Sequence, residues 1–214
     1  MSARDLATFA RARLAARRQP ATNDRFCLPD LHSLRASDPL TQVGVLVYQG
    51  VTTTEIAEPV ARLAQGLQAD VVHIGVSVDA VVGVEPVRTV HIDHDLHDPG
   101  TPVPPVLVIP GGLGWKRLVD DLAVLTWIAS VAGQADGVLT MSTGSLILAS
   151  AGRLSGQAAT GHWLAQDTLS ALGADVRRER TTRSKDSRVV TASGASAALG
   201  ASAVLADRLR WGPS

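Results

Sequence analysis

A short apolar run turns into a helix within Gly137-Val138-Leu139-Thr140-Met141-Ser142-Thr143-Gly144. The run from Gly137 to Met141 is typical of a strand that is buried on both faces of a parallel sheet. Residues 144–152 have the composition of a helix, so the chain has to turn sharply at Ser142. A sharp strand-to-helix turn exposes the side chain at its apex. The stretch therefore predicts an accessible hydroxyl at Ser142.

The same alternation of apolar runs and helical segments extends in both directions from this turn. The strands that it predicts are residues 43–48, 71–78, 106–109 and 188–192. The helices that it predicts are residues 54–67, 115–132, 163–172 and 195–209, and residues 80–90 are expected to form a short antiparallel excursion at the sheet edge. Alternating strands and helices indicate βαβ units. We therefore expect an α/β fold, a three-layer sandwich with a mostly parallel sheet flanked by helices.

The first 41 residues differ from the rest of the chain. Residues 3–18 mix Ala, Leu and Phe with five arginines at helical spacing, and Gln19-Pro20 ends the pattern. Residues 21–41 have the Pro, Asn, Asp and Ser content of a linker. We predict an N-terminal helical extension and linker over residues 1–41 and one α/β domain over residues 42–214. The interspersed arginines favour a helix that docks or contacts a dimer partner over a nucleic-acid or membrane arm.

Composition narrows the range of partners. The 214 residues include 20 basic and 20 acidic side chains, so no net charge is available to attract nucleic acid or anionic lipid. Cys27 is the sole cysteine, which excludes an internal disulfide and a Cys-rich metal site. No apolar run is long enough to cross a bilayer, and the N-terminus lacks a signal-peptide core. We expect a cytoplasmic protein that binds a small molecule, with no nucleic-acid or membrane partner.

Candidate chemistry lies where the predicted strands end, because open parallel sheets bind ligands beyond the carboxyl ends of their strands. Glu55 follows the first strand, Gly111-Gly112 follows the strand over residues 106–109, and Ser142-Thr143 follows the stretch quoted above. A buried Glu55 would have a raised pKa and could transfer a proton. The backbone amides of Gly112 and Thr143 could together form an oxyanion hole.

Each of these patterns also has a structural interpretation. Glycine pairs and Ser-Thr-Gly are common in turns and helix caps, and Glu55 and Glu58 could complement a helix dipole. His162 could act as a base or cap a helix. His91, His94 and His97 alternate with Asp93, Asp95 and Asp98 as a possible metal cluster, but the prolines and glycine that follow favour an irregular polar loop. We predict no metal and no cofactor.

Five motifs in this chain together resemble a known family. They are Glu55-Ile56-Ala57-Glu58-Pro59, Ile109-Pro110-Gly111-Gly112-Leu113-Gly114, Ser142-Thr143-Gly144, Ala159-Thr160-Gly161-His162-Trp163 and Thr191-Ala192-Ser193-Gly194-Ala195-Ser196-Ala197. As a set they are similar to the ThiJ/PfpI superfamily, whose fold is the class I glutamine amidotransferase-like one. Within it the chain resembles the branch of isonitrile hydratases and of the amidase-like domains of AraC-type regulators. The resemblance covers residues 43–209.

The departures from the family pattern concern the site itself. The family has a nucleophilic cysteine at the elbow, and this chain has Ser142 there. A serine hydroxyl needs an adjacent base to approach the reactivity of a thiolate. Glu55 keeps the family's acidic residue, although this branch usually has the shorter Asp. Glu58 and Ser193 stand where the branch has glycines, which implies an altered ligand.

The resemblance implies an enzyme of hydratase, lyase or hydrolase type. Glu55 would be the general acid/base beside the nucleophile elbow at Ser142, with Gly112 and Thr143 supplying the oxyanion hole. Gly111, Trp115 and His162 would contact the substrate, and the protein would be a homodimer. The alternative is an inactive ligand-binding or regulatory member of the same superfamily. A third hypothesis is a purely structural or interaction protein, for which the retention of Glu55, the Gly-Gly turn and the elbow would be a coincidence.

Overall fold

The protein is described here by a computed structural model, which covers residues 42–76 and 80–211. The N-terminal extension predicted for residues 1–41 lies outside the described residues. A seven-stranded sheet forms the centre of the fold. Its strands, in spatial order, are β10 (Thr181–Arg183), β11 (Val189–Ala192), β7 (Gly137–Met141), β6 (Val106–Ile109), β1 (Gln42–Leu46), β2 (Asp70–Gly75) and β5 (His94–Asp95).

The sheet is parallel except at one edge, where β10 runs antiparallel to β11. β1 lies between β2 and β6, and β6 in turn pairs with β7. The carboxyl ends of β1, β6 and β7 therefore lie side by side. This register brings the segments that follow these three strands to one edge of the sheet, as the sequence predicted.

Helices cover both faces of the sheet and produce the predicted three-layer sandwich. In chain order they are α1 (Thr53–Ile56), α2 (Glu58–Leu67), α3 (Trp115–Asp120), α4 (Leu122–Gln134), α5 (Gly144–Ser150), a 3-10 helix (Trp163–Ala165), α6 (Gln166–Ala171) and α7 (Ala195–Trp211). α2 packs against α7 on one face, whereas α3, α4, α5 and α6 form a connected layer on the other. Each helix of residues 42–76 and 80–211 is too short or too polar to span a bilayer.

Two predicted helices are each divided in two. The helix expected over residues 54–67 breaks at Ala57, where the backbone leaves helical geometry before Pro59 begins the next segment. The helix expected over residues 115–132 breaks at Asp121. The Asp121 carboxylate accepts hydrogen bonds from the amides of Ala123 and Val124, at 2.9 and 3.2 Å, and so caps α4.

The helix expected over residues 163–172 begins as the 3-10 helix and continues as α6. Short strands account for further differences from the sequence prediction. Residues 80–90 form the expected antiparallel pair, β3 (Ala80–Gly83) with β4 (Arg88–His91), but this pair is a sheet of its own and is not part of the main sheet, at whose edge it was predicted. A further small sheet pairs β8 (Ala158–Ala159) with β9 (Asp175–Val176). The edge strands β5 and β10 were not predicted. They are two and three residues long and polar, so they lack the apolar alternation that marks a strand.

Candidate active site

Ser142 occupies a strained turn at the carboxyl end of β7. Its φ is +53°, a left-handed conformation that residues other than glycine adopt only at a cost of about 1–2 kcal/mol. The Ser142 amide donates to the carbonyl oxygen of Ala192 at 2.9 Å, which extends the pairing of β7 with β11 to the apex itself. Strain of this kind is typical of functional sites because the surrounding structure has to hold it in place.

Gly144 allows the turn to be this tight. A Cβ at Gly144 would overlap the carbonyl oxygens of Ile109 and Pro110, which belong to the neighbouring strand β6 and its end. The first turn of α5 therefore lies directly against the end of β6, and only a residue without a side chain fits there. This contact brings Ser142 next to the Gly111-Gly112 turn.

A chain of buried hydroxyl groups supports the elbow from behind. The Ser145 hydroxyl donates to the carbonyl oxygen of Thr160 at 2.8 Å. Ser145 has one hydroxyl proton, so Thr140 is the donor in the 2.8 Å contact between their two oxygens. The Thr160 amide continues the chain by donating to the Thr191 hydroxyl at 2.8 Å. The network ties β7 and α5, the two sides of the elbow, to the loop that leads to His162.

Glu55 extends from α1 into the same region. The residue is only 4% exposed, and its Oε2 accepts a hydrogen bond from the Gly111 amide at 2.5 Å. The Ser142 hydroxyl lies against Gly111, and its interaction with Glu55 lowers the pKa of the Glu55 carboxyl group. The structure thus brings together three of the residues that the sequence singled out.

Burial raises the pKa of Glu55 from 4.5 to about 7. The hydrogen bonds from Gly111 and Ser142 oppose this effect because they stabilise the charged carboxylate, whereas the nearby negative charge of Glu85 adds to it. A carboxyl group with a pKa near neutrality is present in both protonation states at physiological pH. That is the property that a proton carrier requires.

Tyr48 is a buried neighbour that the sequence prediction did not include. Its hydroxyl donates to the carbonyl oxygen of Pro110 at 3.0 Å, one residue before the glycine that binds Glu55. Burial raises the pKa of Tyr48 well above 10, and the negative charge of Glu55 raises it further. Tyr48 therefore stays protonated and holds the Gly111-Gly112 turn in place. Its position just after β1 was the signal in the sequence that could have indicated it.

The Gly112 amide, one of the two amides predicted to form an oxyanion hole, already donates a hydrogen bond within the protein. Gly112 has φ +153° and bridges to Val51, a conformation and a close approach that require glycine. Its amide donates to the Thr143 hydroxyl at 3.1 Å. The amide nitrogen of Thr143 lies against the Cα of Gly111. Gly112 and Thr143 are thus neighbours, but the Gly112 amide already has an internal acceptor, and the oxyanion role of the pair stays a prediction.

Two further predicted site residues have structural contacts. His162 is half-buried, its amide donates to the Ser142 carbonyl oxygen at 3.1 Å, and its Nδ1 accepts from the Leu164 amide at 3.3 Å, which caps the 3-10 helix. Trp115 is 2% exposed in the core at the start of α3. Substrate contact by Gly111, Trp115 and His162 stays a prediction. Glu58 is exposed in the first turn of α2, the position where it complements the helix dipole.

The His- and Asp-rich loop uses its carboxylates to hold its own backbone and to join it to β2. Asp93 accepts from the His73 amide at 2.7 Å, Asp95 from the His97 amide at 2.9 Å, and Asp98 from the Gly100 amide at 2.8 Å. Within the described ranges 42–76 and 80–211, no group of three or more His, Cys, Asp or Glu side chains is arranged to hold a metal ion.

Comparison with known proteins agrees with the fold. The family model described as the DJ-1/PfpI family matches residues 41–205. The chain belongs to the DJ-1/PfpI family. At the elbow, however, this member has Ser142 where the resemblance implies a cysteine.

Among its relatives, this family member is 40% identical to an isonitrile hydratase of Pseudomonas putida over 108 residues, which are 50% of this chain and 46% of the relative. A ThiJ/PfpI family protein from Pseudomonas syringae superposes with a TM-score of 0.67 at 25% identity, covering 92% of this chain and 84% of that one. A two-domain protein of Anabaena variabilis, with DJ-1/ThiJ/PfpI-like and ferritin-like domains, superposes with a TM-score of 0.72 at 21% identity over 81% of this chain and 50% of the other. The matched part of the hydratase is thus about half of its length.

Proposed function

We propose that this DJ-1/PfpI protein is a small-molecule enzyme of hydratase, lyase or hydrolase type, with Glu55 as its general acid/base. The observation that carries the proposal is the buried Glu55 carboxylate, which is 4% exposed, has a pKa near 7 and accepts a hydrogen bond from the Gly111 amide at 2.5 Å. A group of this kind both donates and accepts a proton at neutral pH. The matched segment of the isonitrile hydratase makes isonitriles the first substrate class to consider.

Hydration of an isonitrile needs one proton carrier and one water molecule. The terminal carbon of an isonitrile has a lone pair, and protonated Glu55 donates its proton to that carbon. Water then adds to the resulting electron-poor carbon, and the Glu55 carboxylate takes the proton that the water releases. The imidic acid formed in this way tautomerises to a formamide. One water molecule is consumed, and Glu55 returns to its protonated form.

Ser142 has an orienting role in this proposal. In this proposal its hydroxyl, which lowers the pKa of Glu55, orients the carboxyl group for proton transfer. A serine also needs a base to become a nucleophile, and the ionised form of Glu55 is in position for that task. The two roles give different results for Ser142→Ala. An orienting serine leaves substantial turnover in that variant, whereas a nucleophilic serine leaves none.

A ligand-binding or regulatory protein is the second candidate. The observation that favours it is the 3.1 Å hydrogen bond from the Gly112 amide to the Thr143 hydroxyl, which occupies a donor that an oxyanion would use. In such a protein the pocket would bind a small molecule that it does not transform. Catalysis through Glu55 does not depend on the Gly112 amide, and for that reason we place the enzyme first.

Formamide production from a small alkyl isonitrile is the test of this proposal. Wild-type protein is compared with Glu55→Gln, which keeps the size and polarity of the side chain but cannot transfer a proton, and with the exposed Glu58→Gln as the matched control. We expect turnover in the wild type and in the control, and a loss of at least about a hundredfold in Glu55→Gln. Wild-type turnover that survives in Glu55→Gln contradicts the assignment. No turnover in any form, together with a ligand-induced rise in melting temperature, supports the binding protein instead.

A further inference from the structure

The tip of the β3–β4 hairpin is fastened to the segment that carries Glu55. The Thr53 hydroxyl shares its single proton between two carbonyl oxygens of the tip, that of Pro86 at 2.7 Å and that of Val84 at 3.1 Å. The Thr53 amide also donates to the Val84 carbonyl oxygen at 2.8 Å, and the Val84 amide donates to the carbonyl oxygen of Val51 at 2.8 Å. Glu85 lies between the two anchored residues. The Glu85 backbone is therefore held next to α1, the helix in which Glu55 follows Thr53 by two residues.

Glu85 is held in a costly conformation. Its φ is +60°, in the left-handed region where Gly or Asn would be far less strained. The residue is exposed, so burial of its side chain does not offset the cost. Strain that a tightly bonded loop maintains at an exposed charged residue is a reason to look for a functional role there.

The Glu85 carboxylate acts on the buried site. Its negative charge raises the pKa of Glu55, so its field reaches the Glu55 carboxyl group. The exposed Glu85 carboxylate thus contributes negative potential at the Glu55 carboxyl group, in addition to the charge of Glu55 itself when it is ionised. The exposed side chains of Val87, in the same tip, and Leu113, beside the Gly112 turn, add apolar surface; they are 74% and 78% exposed.

We propose that Glu85 is a specificity-determining residue that admits neutral or cationic small molecules to the Glu55–Ser142 site and excludes anionic ones. The inference rests on the proposed function, because it names the class of substrate for that same site. A molecule with a carboxylate or phosphate close to its reacting carbon would approach the negative charge of Glu85, and that of Glu55 whenever Glu55 is ionised. Such repulsion lowers both affinity and association rate. A neutral or cationic molecule with an apolar substituent meets no such barrier.

Thiol modification at the elbow measures this selectivity without any need for turnover. The full chain is prepared with Cys27→Ala and Ser142→Cys, so that the elbow provides the sole thiol. Its reaction rate is measured with cationic 2-aminoethyl methanethiosulfonate and with anionic 2-sulfonatoethyl methanethiosulfonate. Each reagent forms a mixed disulfide with the thiolate and releases methanesulfinate. The ratio of the two rates is normalised to the same ratio for a free small thiol, which removes the intrinsic difference between the reagents.

Glu85→Gln in this background is the decisive comparison, and Glu58→Gln is the matched control. In Glu85→Gln we expect the rate with the cationic reagent to fall about threefold and the rate with the anionic reagent to rise about threefold. The ratio of the two rates therefore falls about tenfold. In Glu58→Gln the ratio should stay unchanged. A change in the ionisation of the thiol alters both rates equally and cancels in the ratio. Sodium chloride at 1 M should reduce the wild-type ratio in the same direction because it screens the field of Glu85.

Two results would overturn the proposal. One is a ratio that Glu85→Gln leaves unchanged, and the other is a ratio that Glu58→Gln lowers to the same extent. The proposed hydration fails on a different observation, the absence of formamide production, and the thiol-modification rates can be measured in either case. The failure of one proposal is therefore distinguishable from the failure of the other.

Discussion

Replacing Glu55 with Gln should stabilise the folded protein at alkaline pH, although it should abolish turnover. The pKa of the Glu55 carboxyl group rises from 4.5 to about 7 on folding, chiefly through burial. A raised pKa means that the folded state binds the proton more tightly than the unfolded state does. The stability that this proton contributes is complete below pH 4.5 and is lost as the pH rises through 7. Gln is neutral at every pH, so the variant does not lose stability through ionisation of this buried side chain.

The shift of the pKa sets the size of the effect. At about 1.4 kcal/mol per pKa unit, the ionised carboxylate reduces the free energy of unfolding by about 3 kcal/mol at pH 8. At pH 5 the reduction is about 1 kcal/mol, because most of the folded protein keeps its proton. Gln can still accept the hydrogen bond from the Gly111 amide, so little of this gain is lost. For a protein of this size, about 3 kcal/mol corresponds to roughly 6–12 °C in melting temperature.

Thermal and urea unfolding of wild type, Glu55→Gln and Glu58→Gln at pH 5 and pH 8 provide the assay. The free energy of unfolding of Glu55→Gln should exceed that of the wild type by a clearly larger amount at pH 8 than at pH 5. The exposed Glu58→Gln should differ from the wild type by the same small amount at both pH values. A Glu55→Gln variant that is less stable than wild type at pH 8, or whose margin does not change with pH, would refute the reasoning.

Two further substitutions test the elbow. Ser142→Ala removes a hydrogen bond that lowers the pKa of Glu55, so the ionisation seen in the pH profile of kcat/KM should shift to higher pH; an unchanged profile would show that the hydroxyl does not act on the carboxylate. Gly144→Ala places a methyl group against the Ile109 carbonyl oxygen and should lower the free energy of unfolding by about 1–3 kcal/mol in urea titrations. Gly200→Ala, in an exposed and open position of α7, should instead stabilise by about 0.5–1 kcal/mol, and equal effects at the two glycines would contradict the packing argument.

The sequence predicts the sheet well because its central strands are unambiguous. The runs at β6 and β7 are uninterrupted and fully buried, and their boundaries agree with the prediction to the residue. The helix boundaries were predicted less well. Ala57 and Asp121 each divide a segment that composition alone would extend, since one break precedes a proline and the other depends on a side-chain cap that the sequence offers only as one choice among several.

The candidate site was predictable to the extent that strand ends identify it. Glu55, Gly111 and Ser142 follow three adjacent parallel strands, and the register brings them together. The contribution of Glu85 was not predictable, because its position depends on how a separate hairpin is fastened to Thr53. The hydrogen bond from the Gly112 amide to the Thr143 hydroxyl could not be predicted either, because it depends on a side-chain rotamer that no spacing in the sequence encodes.

The ionisation of Glu55 itself is the most direct test of the account. Carbon-13 NMR of protein labelled at the glutamate side-chain carboxyl carbon would follow each glutamate through a titration from pH 3 to pH 9, with Glu55→Gln used to assign the resonance. The account predicts one carboxyl resonance that titrates near 7 in the wild type and is missing from Glu55→Gln. If every glutamate resonance of the wild type titrates below about pH 5, the carboxyl group at position 55 is an ordinary acid, and its role as the proton carrier is contradicted.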